Sequence, residues 1–315
     1  MSAPSGPKMC EVCGTRMDPV IASLMSAHPG CYGPGGTLPT GMPPPLPAVT
    51  GNPFGPPPST KVPMSAEALA LRSWVLDMIH WRDDSSARSQ QVTIGPSEIG
   101  TKCARKLAYK IAGVPKINGK ADPWPAIQGT AIHAWMADAV KAFAQYKGWN
   151  DALVEFPVIA DTQYPIGGTS DCYHDKTIID WKSAGKDKLA EVSNHGAPDE
   201  HIVQVNTYGV GARHRGVEVE RVALVYLPRG GRLQDTYVVV KPFEPQVAYD
   251  AMERVWRIDN NLKIIDIRNH PEHWNMIPAT PDHNCGYCPF FVADPTGQAP
   301  ATDRSCPGRA TGGEK

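Results

Sequence analysis

The sequence predicts a mixed α/β domain over residues 65–315, preceded by a small separate module. Helical patterns come first in that domain, and strand-like runs, a helix and further strands follow. Residues 32–64 are rich in proline and glycine, which form neither helices nor sheet ladders. We therefore expect a module at 1–31, an extended linker at 32–64 and one main domain at 65–315.

Each helix and strand predicted in the main domain is indicated by a local sequence pattern. Ser65 is a helix N-cap residue, and Glu67 lies in the first turn of the helix that follows. Helical patterns also predict helices from Ser97 to Gly113, about Pro125 to Gly148, Pro198 to His214 and Phe243 to Ile267. Strands are expected at 153–160, 167–174, 176–183, 219–227 and 235–241, where apolar and β-branched residues concentrate.

Composition limits the class of protein. Hydrophobic residues make up 41% of the 315 residues and charged residues 20%, which is typical of soluble globular proteins. The net charge of −1 means that any nucleic-acid-binding surface must be local. No apolar run is long enough to span a bilayer, and the N-terminus lacks a signal-peptide segment. We therefore expect a cytoplasmic protein with no membrane partner.

Three ionisable residues lie on two successive predicted strands. Asp171 ends the run GGTSD, and Asp180 and Lys182 lie in IIDWKS. Strand alternation places Asp180 and Lys182 on one face, with Trp181 on the other. The two carboxylates can hold Mg²⁺ or Mn²⁺, and the ammonium can stabilise the charge of phosphodiester hydrolysis. The alternative for D-x-K alone is an exposed ion pair at a strand end.

Two helical pairs flank these strands. Gly129 and His133 are four residues apart on the preceding helix, and Gln204 and Tyr208 are four apart on the following one. His133 is a candidate nitrogen ligand, or a partly buried histidine with a hydrogen-bond partner. Gln204 and Tyr208 could bind a carboxylate or a DNA phosphate, or could simply pack on the sheet.

The ordered motifs G-x-x-x-H, G-x-x-D, D-x-K and Q-x-x-x-Y together resemble the RecB-like nucleases. Within that group the chain is most similar, over roughly 95–310, to CRISPR-associated and phage-encoded exonucleases that carry an iron–sulfur cluster. The resemblance implies a PD-(D/E)XK, restriction-endonuclease-like core, in which a mixed sheet is flanked by helices. Ser170 stands in place of the proline of the family name.

The resemblance also implies an activity. It implies a Mg²⁺- or Mn²⁺-dependent DNA exonuclease acting on ends or single strands in phage or bacterial recombination, repair or DNA processing. The roles it implies are His133, Asp171 and Asp180 as metal ligands, Lys182 as the catalytic lysine, and Gln204 and Tyr208 as supports of the active-site geometry. A structure-specific endonuclease on the same core and a non-catalytic DNA-binding adaptor are the alternatives.

Eight cysteines in a reducing compartment indicate metal binding rather than disulfides. By the same resemblance, a 4Fe–4S cluster is held by one cysteine before the nuclease core and three after it, namely Cys103, Cys285, Cys288 and Cys306. Zn²⁺ is the alternative, because it also binds four thiolates. The gap from Cys288 to Cys306 is longer than the family usually has. Cys172 is expected to be a small buried residue.

The module at 1–31 has its own metal signature. Two close pairs of ligands, Cys10 with Cys13 and His28 with Cys31, are typical of a zinc site. Metal would supply the folding free energy that so short a segment lacks. The module could bind DNA or a protein partner.

A basic helix face is expected beside Cys103. Lys102, Arg105, Lys106 and Lys110 follow helical spacing in the second predicted helix. Such a face would contact DNA phosphates without reading sequence, and the alternative is a solvated helix surface.

Overall fold

The structure is a computed structural model that describes residues 63–85, 93–118, 122–161, 166–280, 285–294, 296 and 299–308. Its residues from Ala66 onward group into one compact unit. The predicted zinc module at 1–31 and nearly all of the linker at 32–64 lie outside the described residues.

Seven α-helices and five strands are described. The helices are α1 Ala66–Asp84, α2 Pro96–Ile99, α3 Ala104–Ile111, α4 Trp124–Lys147, α5 Lys186–His195, α6 Asp199–His214 and α7 Pro245–Ile264. The strands are β1 Leu153–Asp161, β2 Ile166–His174, β3 Thr177–Ala184, β4 Arg221–Pro228 and β5 Tyr237–Pro242. Three short 3₁₀ helices lie at Leu233–Asp235, Pro271–Met276 and Cys285–Tyr287.

The five strands form one mixed sheet in the order β1-β2-β3-β4-β5. Strands β3 and β4 are parallel, and the other neighbours are antiparallel. The parallel pair requires a crossover, which α5 and α6 provide. The prediction of a mixed α/β domain with helices around a mixed sheet is therefore confirmed.

A tight turn sets the register of β2 against β3. His174 pairs with Thr177, so that Asp175 and Lys176 alone form the turn. Both have positive φ, 46° and 56°, as a type I′ hairpin requires. The last pair of this ladder is Cys172 with Ile179. Asp171 and Asp180 are the next residues along the two strands, just beyond that pair.

Helix α6 lies at the centre of the main core. All nine residues from Gln204 to Ala212 are buried, and the helix packs on β1 and α7. A Cβ added at Gly211 would lie 2.7 Å from Cβ of Val158 on β1. Glycine therefore allows α6 to approach the strand more closely than any other residue could.

A second core joins α3 to the C-terminal segment. The Tyr109 ring stacks on Trp274 with ring centroids 4.2 Å apart and lies 5.1 Å from Phe290. The Tyr109 hydroxyl lies 2.8 Å from the carbonyl oxygens of both Thr302 and Ser305, and it can donate to either. These contacts hold the end of the domain against a helix that precedes the sheet.

Most predicted elements are confirmed to within a few residues, but two predictions were wrong. The single helix expected from Ser97 to Gly113 is two helices, α2 and α3, separated at residues 100–103. A Cβ at Gly100 would lie 2.7 Å from the Glu200 Cα, so close packing on α6 fixes this break. Helix α5 was not predicted, and its ten residues contain a single buried side chain, Val192.

Helix α1, which the structure describes in full, has no buried residue. Most of its apolar side chains, including Trp74 and Trp81, are exposed. None of the helices described combines the length and the hydropathy needed to cross a bilayer.

We expect Gly211→Ala to lower the free energy of unfolding by about 1–3 kcal/mol, because the added methyl group forces α6 away from β1. Urea denaturation at neutral pH measures the change. Gly230→Ala is the matched control, since no atom lies within 4 Å of a Cβ at that position, and it should leave the stability unchanged. Equal stability of the two variants would contradict the packing argument.

Candidate active site

Asp171 joins three elements of the domain through one buried carboxylate. Its Oδ2 accepts a hydrogen bond from the Trp181 backbone N–H of β3 at 2.8 Å. Its Oδ1 lies 3.2 Å from Nδ1 of His133, on α4. The side chain thus replaces a backbone pair where the β2–β3 ladder ends, and it ties α4 to both strands.

Asp180 and Lys182 lie on one face of β3, as strand alternation predicts, and form a network with α6. The Lys182 Nζ lies 2.8 Å from Asp180 Oδ2 and donates to Gln204 Oε1 at 2.6 Å. The Gln204 amide nitrogen donates to Asp180 Oδ1 and to the Tyr208 hydroxyl, both at 3.1 Å. Gln204 thus contacts a carboxylate of the sheet.

Close approach of α4 to the sheet depends on Gly129. A Cβ there would meet the Ser183 Oγ of β3 at 3.3 Å, within the tight range of contacts. His133, one turn further along α4, then reaches Asp171 on β2. Of this pair, Gly129 thus serves the packing of α4 on the sheet, and His133 is the candidate ligand.

Burial and charge act against one another in this site. Asp180 is 1% exposed, and burial, with a smaller contribution from repulsion by Asp171, raises the pKa of its carboxyl group. Lys182 and His133 oppose that rise. The hydrogen bond to Asp171 raises the pKa of His133. Repulsion between the two carboxylates would be relieved by a bound cation.

A further carboxylate, Glu155, lies beside these residues and was missed in the sequence. Ligand atoms of His133, Glu155 and Asp171 all lie within 4.8 Å of one another. Glu155 is exposed, and partial desolvation together with Asp171 raises the pKa of its carboxyl group. The sequence signal was present, since Glu155 interrupts the apolar run LVEFPVIA, but no motif included it.

These oxygen and nitrogen donors fit a divalent cation. Carboxylate oxygens suit Mg²⁺ and Mn²⁺, and imidazole is a borderline ligand for transition metals. A second His/Glu group in the described part of the chain, formed by His270, Glu272 and His273, is mostly exposed and belongs to the 3₁₀ helix Pro271–Met276.

The four cysteines predicted to act together line one cavity. Cys103, at the N-cap of α3, shares it with Cys285, Cys288 and Cys306. Cys306 reaches this cavity because it forms an isolated bridge with Phe291, which closes the intervening loop. Its Sγ lies 3.4 Å from the Gly308 N–H and 3.8 Å from the Arg105 guanidinium. Cys172 lies elsewhere and is buried, and its burial raises the pKa of the thiol to about 12.

The predicted basic face is wrong for Arg105. Its side chain is fully buried and donates to the Ile277 carbonyl oxygen at 2.9 Å. Lys102 precedes α3, so helical spacing does not relate it to the others, and it forms an exposed ion pair with Asp199. Lys110 pairs with Glu98, and Lys106 lines the cysteine cavity. Cys10, Cys13, His28 and Cys31 lie outside the described residues.

We expect His201, which lies on α6 next to this network, to make the protein sensitive to acid. Its Nδ1 lies 2.8 Å from the Tyr226 hydroxyl, and burial, aided by Lys182 and Lys188, lowers its pKa to about 3. The folded state keeps the ring neutral while the unfolded state protonates near pH 6.5. This contribution to stability is complete above pH 6.5 and is lost as pH falls toward 3, at up to about 1.4 kcal/mol per pH unit.

Urea denaturation at pH 7, 6 and 5 tests this expectation. The difference in unfolding free energy between wild type and His201→Gln should shrink on acidification. His195→Gln, at an exposed position of α5, should follow the wild-type profile. A constant difference between wild type and His201→Gln would rule out the proposed origin of the acid sensitivity.

Comparison with known proteins gives structural likeness only. No protein-family model and no curated protein sequence matches the chain. The crystal structure of an alkaline exonuclease (LHK-Exo) from Laribacter hongkongensis matches with a TM-score of 0.40 and 16% identity, covering 56% of this chain and 91% of that one. LHK-Exo in complex with dAMP gives 0.41 and 15% with the same coverage. A phage-related exonuclease from Haemophilus somnus 129PT gives 0.37 and 12%, covering 55% and 96%.

Proposed function

We propose that the chain is a Mg²⁺- or Mn²⁺-dependent DNA exonuclease with a RecB-like PD-(D/E)XK core. The observation that carries this proposal is the buried network of Asp171, Asp180, Lys182 and Gln204, which three separate elements bring together. His133, Asp171 and Asp180 would hold the cation. The biological setting that the sequence motifs suggest is recombination, repair or DNA processing in a phage or bacterial cytoplasm.

Each residue of the network has a separate task in phosphodiester hydrolysis. A bound divalent cation supplies a water of lowered pKa and neutralises charge on the phosphate. Lys182 places its ammonium group next to the acids, where it can stabilise the charge of the transition state. Gln204 holds both Lys182 and Asp180 in position, and Tyr208 fixes the amide of Gln204. Asp171 sets the spacing of β2, β3 and α4 around the reaction.

The substrate would be a DNA end or single strand held by cations near the site. Lys102 and Lys106 are the members of the predicted basic set that we retain as phosphate contacts. Arg105 is buried, and Lys110 forms a partly buried ion pair with Glu98, whereas the ion pair of Lys102 with Asp199 is exposed to solvent. A structure-specific endonuclease could use the same network. A non-catalytic adaptor is disfavoured, because it would have no need of a buried acid pair with a lysine.

We expect Asp180→Asn and Lys182→Ala each to lower the cleavage rate by at least about 100-fold, because each removes stabilisation of charge in the transition state. Release of nucleotides from end-labelled single- and double-stranded DNA with Mg²⁺ or Mn²⁺ measures it. Asp138→Asn, an exposed acid on α4, should cut DNA at the wild-type rate.

The same assay also separates the alternatives. Mononucleotides released from labelled ends support an exonuclease, whereas internal cuts in a circular single strand support the endonuclease. Wild-type protein that binds DNA but does not cut it would support the adaptor. Wild-type cleavage by either active-site variant would show that the site is placed wrongly.

We also propose a 4Fe–4S cluster in the cavity formed by Cys103, Cys285, Cys288 and Cys306. Four sulfur donors around one cavity suit either a cluster or Zn²⁺. The resemblance of the sequence motifs to those of iron–sulfur exonucleases favours the cluster, and Zn²⁺ is the alternative.

Hydrogen bonds at Cys306 support it as the fourth ligand. The Gly308 N–H and the Arg105 guanidinium both approach its Sγ, and such donors favour a thiolate. The long sequence gap between Cys288 and Cys306 is compatible with this role, because the bridge between Phe291 and Cys306 closes the gap into a loop.

Anaerobically purified protein should be brown and contain about four irons per chain. Cys103→Ala should bleach it and lower its melting temperature, because the cluster ties α3 to the C-terminal segment. Iron analysis and visible absorption measure the loss, and Cys172→Ala should keep the wild-type colour. A colourless wild-type protein with zinc and no iron at these cysteines would contradict the cluster while leaving the nuclease proposal standing.

For the segment at 1–31 we propose a zinc module held by Cys10, Cys13, His28 and Cys31, joined through the linker at 32–64 to the domain at 65–315. Two pairs of soft or borderline ligands in so short a segment support it. The module would present a surface to DNA or to a protein partner. Metal analysis of the anaerobic protein also tests it, since one zinc per chain should accompany the iron.

A further inference from the structure

We infer that Glu155 is a further ligand of the catalytic cation, which it would bind together with His133 and Asp171. This inference rests on the proposed function and deepens it. Glu155 lies outside the four sequence motifs.

The strand register places Glu155 next to Asp171. On β1 it lies between Val154, which pairs with Cys172, and Phe156, which pairs with Ser170. It is therefore opposite Asp171 on the neighbouring strand. Directly opposite residues of antiparallel strands have Cβ atoms about 4.5–5.5 Å apart, which is close enough for two carboxylates to share one ion.

Three separate elements supply the donors of this site. One ligand atom each from His133 on α4, Glu155 on β1 and Asp171 on β2 lies within 4.8 Å of the others. Mg²⁺ binds oxygen at about 2.0–2.1 Å, so ligands on opposite sides of the ion are about 4.2 Å apart. Small side-chain movements are therefore enough to close the set around an ion.

Asp180 lies beside this set and supports a cation there. It is 1% exposed, and although the Lys182 Nζ lies 2.8 Å from its Oδ2, that buried oxygen accepts no hydrogen bond within the described part of the chain. Gln204 donates to its Oδ1 at 3.1 Å. A buried carboxylate oxygen without a hydrogen-bond donor is suited to a bound cation, and Glu155 would be a further ligand of the same ion.

The backbone at Glu155 is also unusual for a strand. Its φ is +49°, a left-handed conformation that residues other than glycine rarely adopt. Such a conformation persists where the surrounding structure requires it, and it is found most often at functional sites. The ligand geometry carries the inference, and this conformation agrees with it.

Mn²⁺ titration of the full-length protein, with free Mn²⁺ counted by electron paramagnetic resonance, tests the inference. Glu155→Gln should weaken Mn²⁺ binding at least about tenfold, since even groups that only support a ligand commonly contribute that much. It should also remove the rise in melting temperature that Mn²⁺ gives to wild type. Asp138→Asn, an exposed acid on the same helix as His133, should bind Mn²⁺ like wild type.

Wild-type Mn²⁺ affinity in Glu155→Gln would overturn the inference. A different result would contradict the proposed function. Wild-type protein that binds Mn²⁺ through Glu155 but cleaves no DNA overturns the nuclease and leaves the cation site. Cleavage by wild type together with Mn²⁺ binding that does not depend on Glu155 overturns the inference alone.

Discussion

The buried carboxylate of Asp171 is the constraint on which the rest of the site depends. The β2–β3 ladder stops at Cys172 and Ile179, and the next N–H of β3 that faces Asp171 is satisfied by a side chain rather than by a backbone carbonyl. A buried N–H without a partner would cost about 1–3 kcal/mol, so Asp171 stabilises the fold in addition to the binding role proposed for it. Because its other oxygen lies beside His133, the same side chain also fixes where α4 crosses the sheet. The burial of Asp180 is offset by Lys182, whose Nζ lies 2.8 Å from Oδ2, and by Gln204, which donates to Oδ1.

The cysteine cavity likewise combines a structural contact with a proposed metal site. Arg105 is fully buried, and a buried guanidinium is costly unless it has partners. Its contacts include the Ile277 carbonyl oxygen and the Cys306 sulfur. A thiolate at Cys306 would balance this charge, and a thiolate is what a bound metal or cluster requires. A residue that looked like a DNA contact in the sequence therefore supports the proposed cluster from inside the protein.

Local pattern predicted the parts of the site that lie on one element. Strand alternation placed Asp180 with Lys182, and helical spacing placed Gln204 with Tyr208, since both depend only on backbone geometry. Glu155 could not be found this way, because its position opposite Asp171 depends on the β1–β2 register and on a left-handed φ. Arg105 was assigned to the basic face in error. Packing of Gly100 on Glu200 interrupts the predicted helix, so Lys102 does not lie on the same helix as Arg105. The β2–β3 register was more accessible, since a two-residue turn at Asp175 and Lys176 determines it.

The two proposed metal sites differ in the softness of their ligands, and this difference has a consequence for metal selection. Carboxylates dominate the set at the sheet, whereas thiolates form the set beside α3. A sheet site that contains His133 would bind Zn²⁺ more tightly than Mg²⁺ or Mn²⁺ if all were equally available, because affinity follows the metal as well as the ligand. The ion that fills such a site in a cell is therefore set by availability as well as by affinity, and hard cations are the ones that a cell holds in excess. Glu155, if it is a ligand, strengthens the preference for a hard cation, because it adds an oxygen donor where His133 supplies nitrogen.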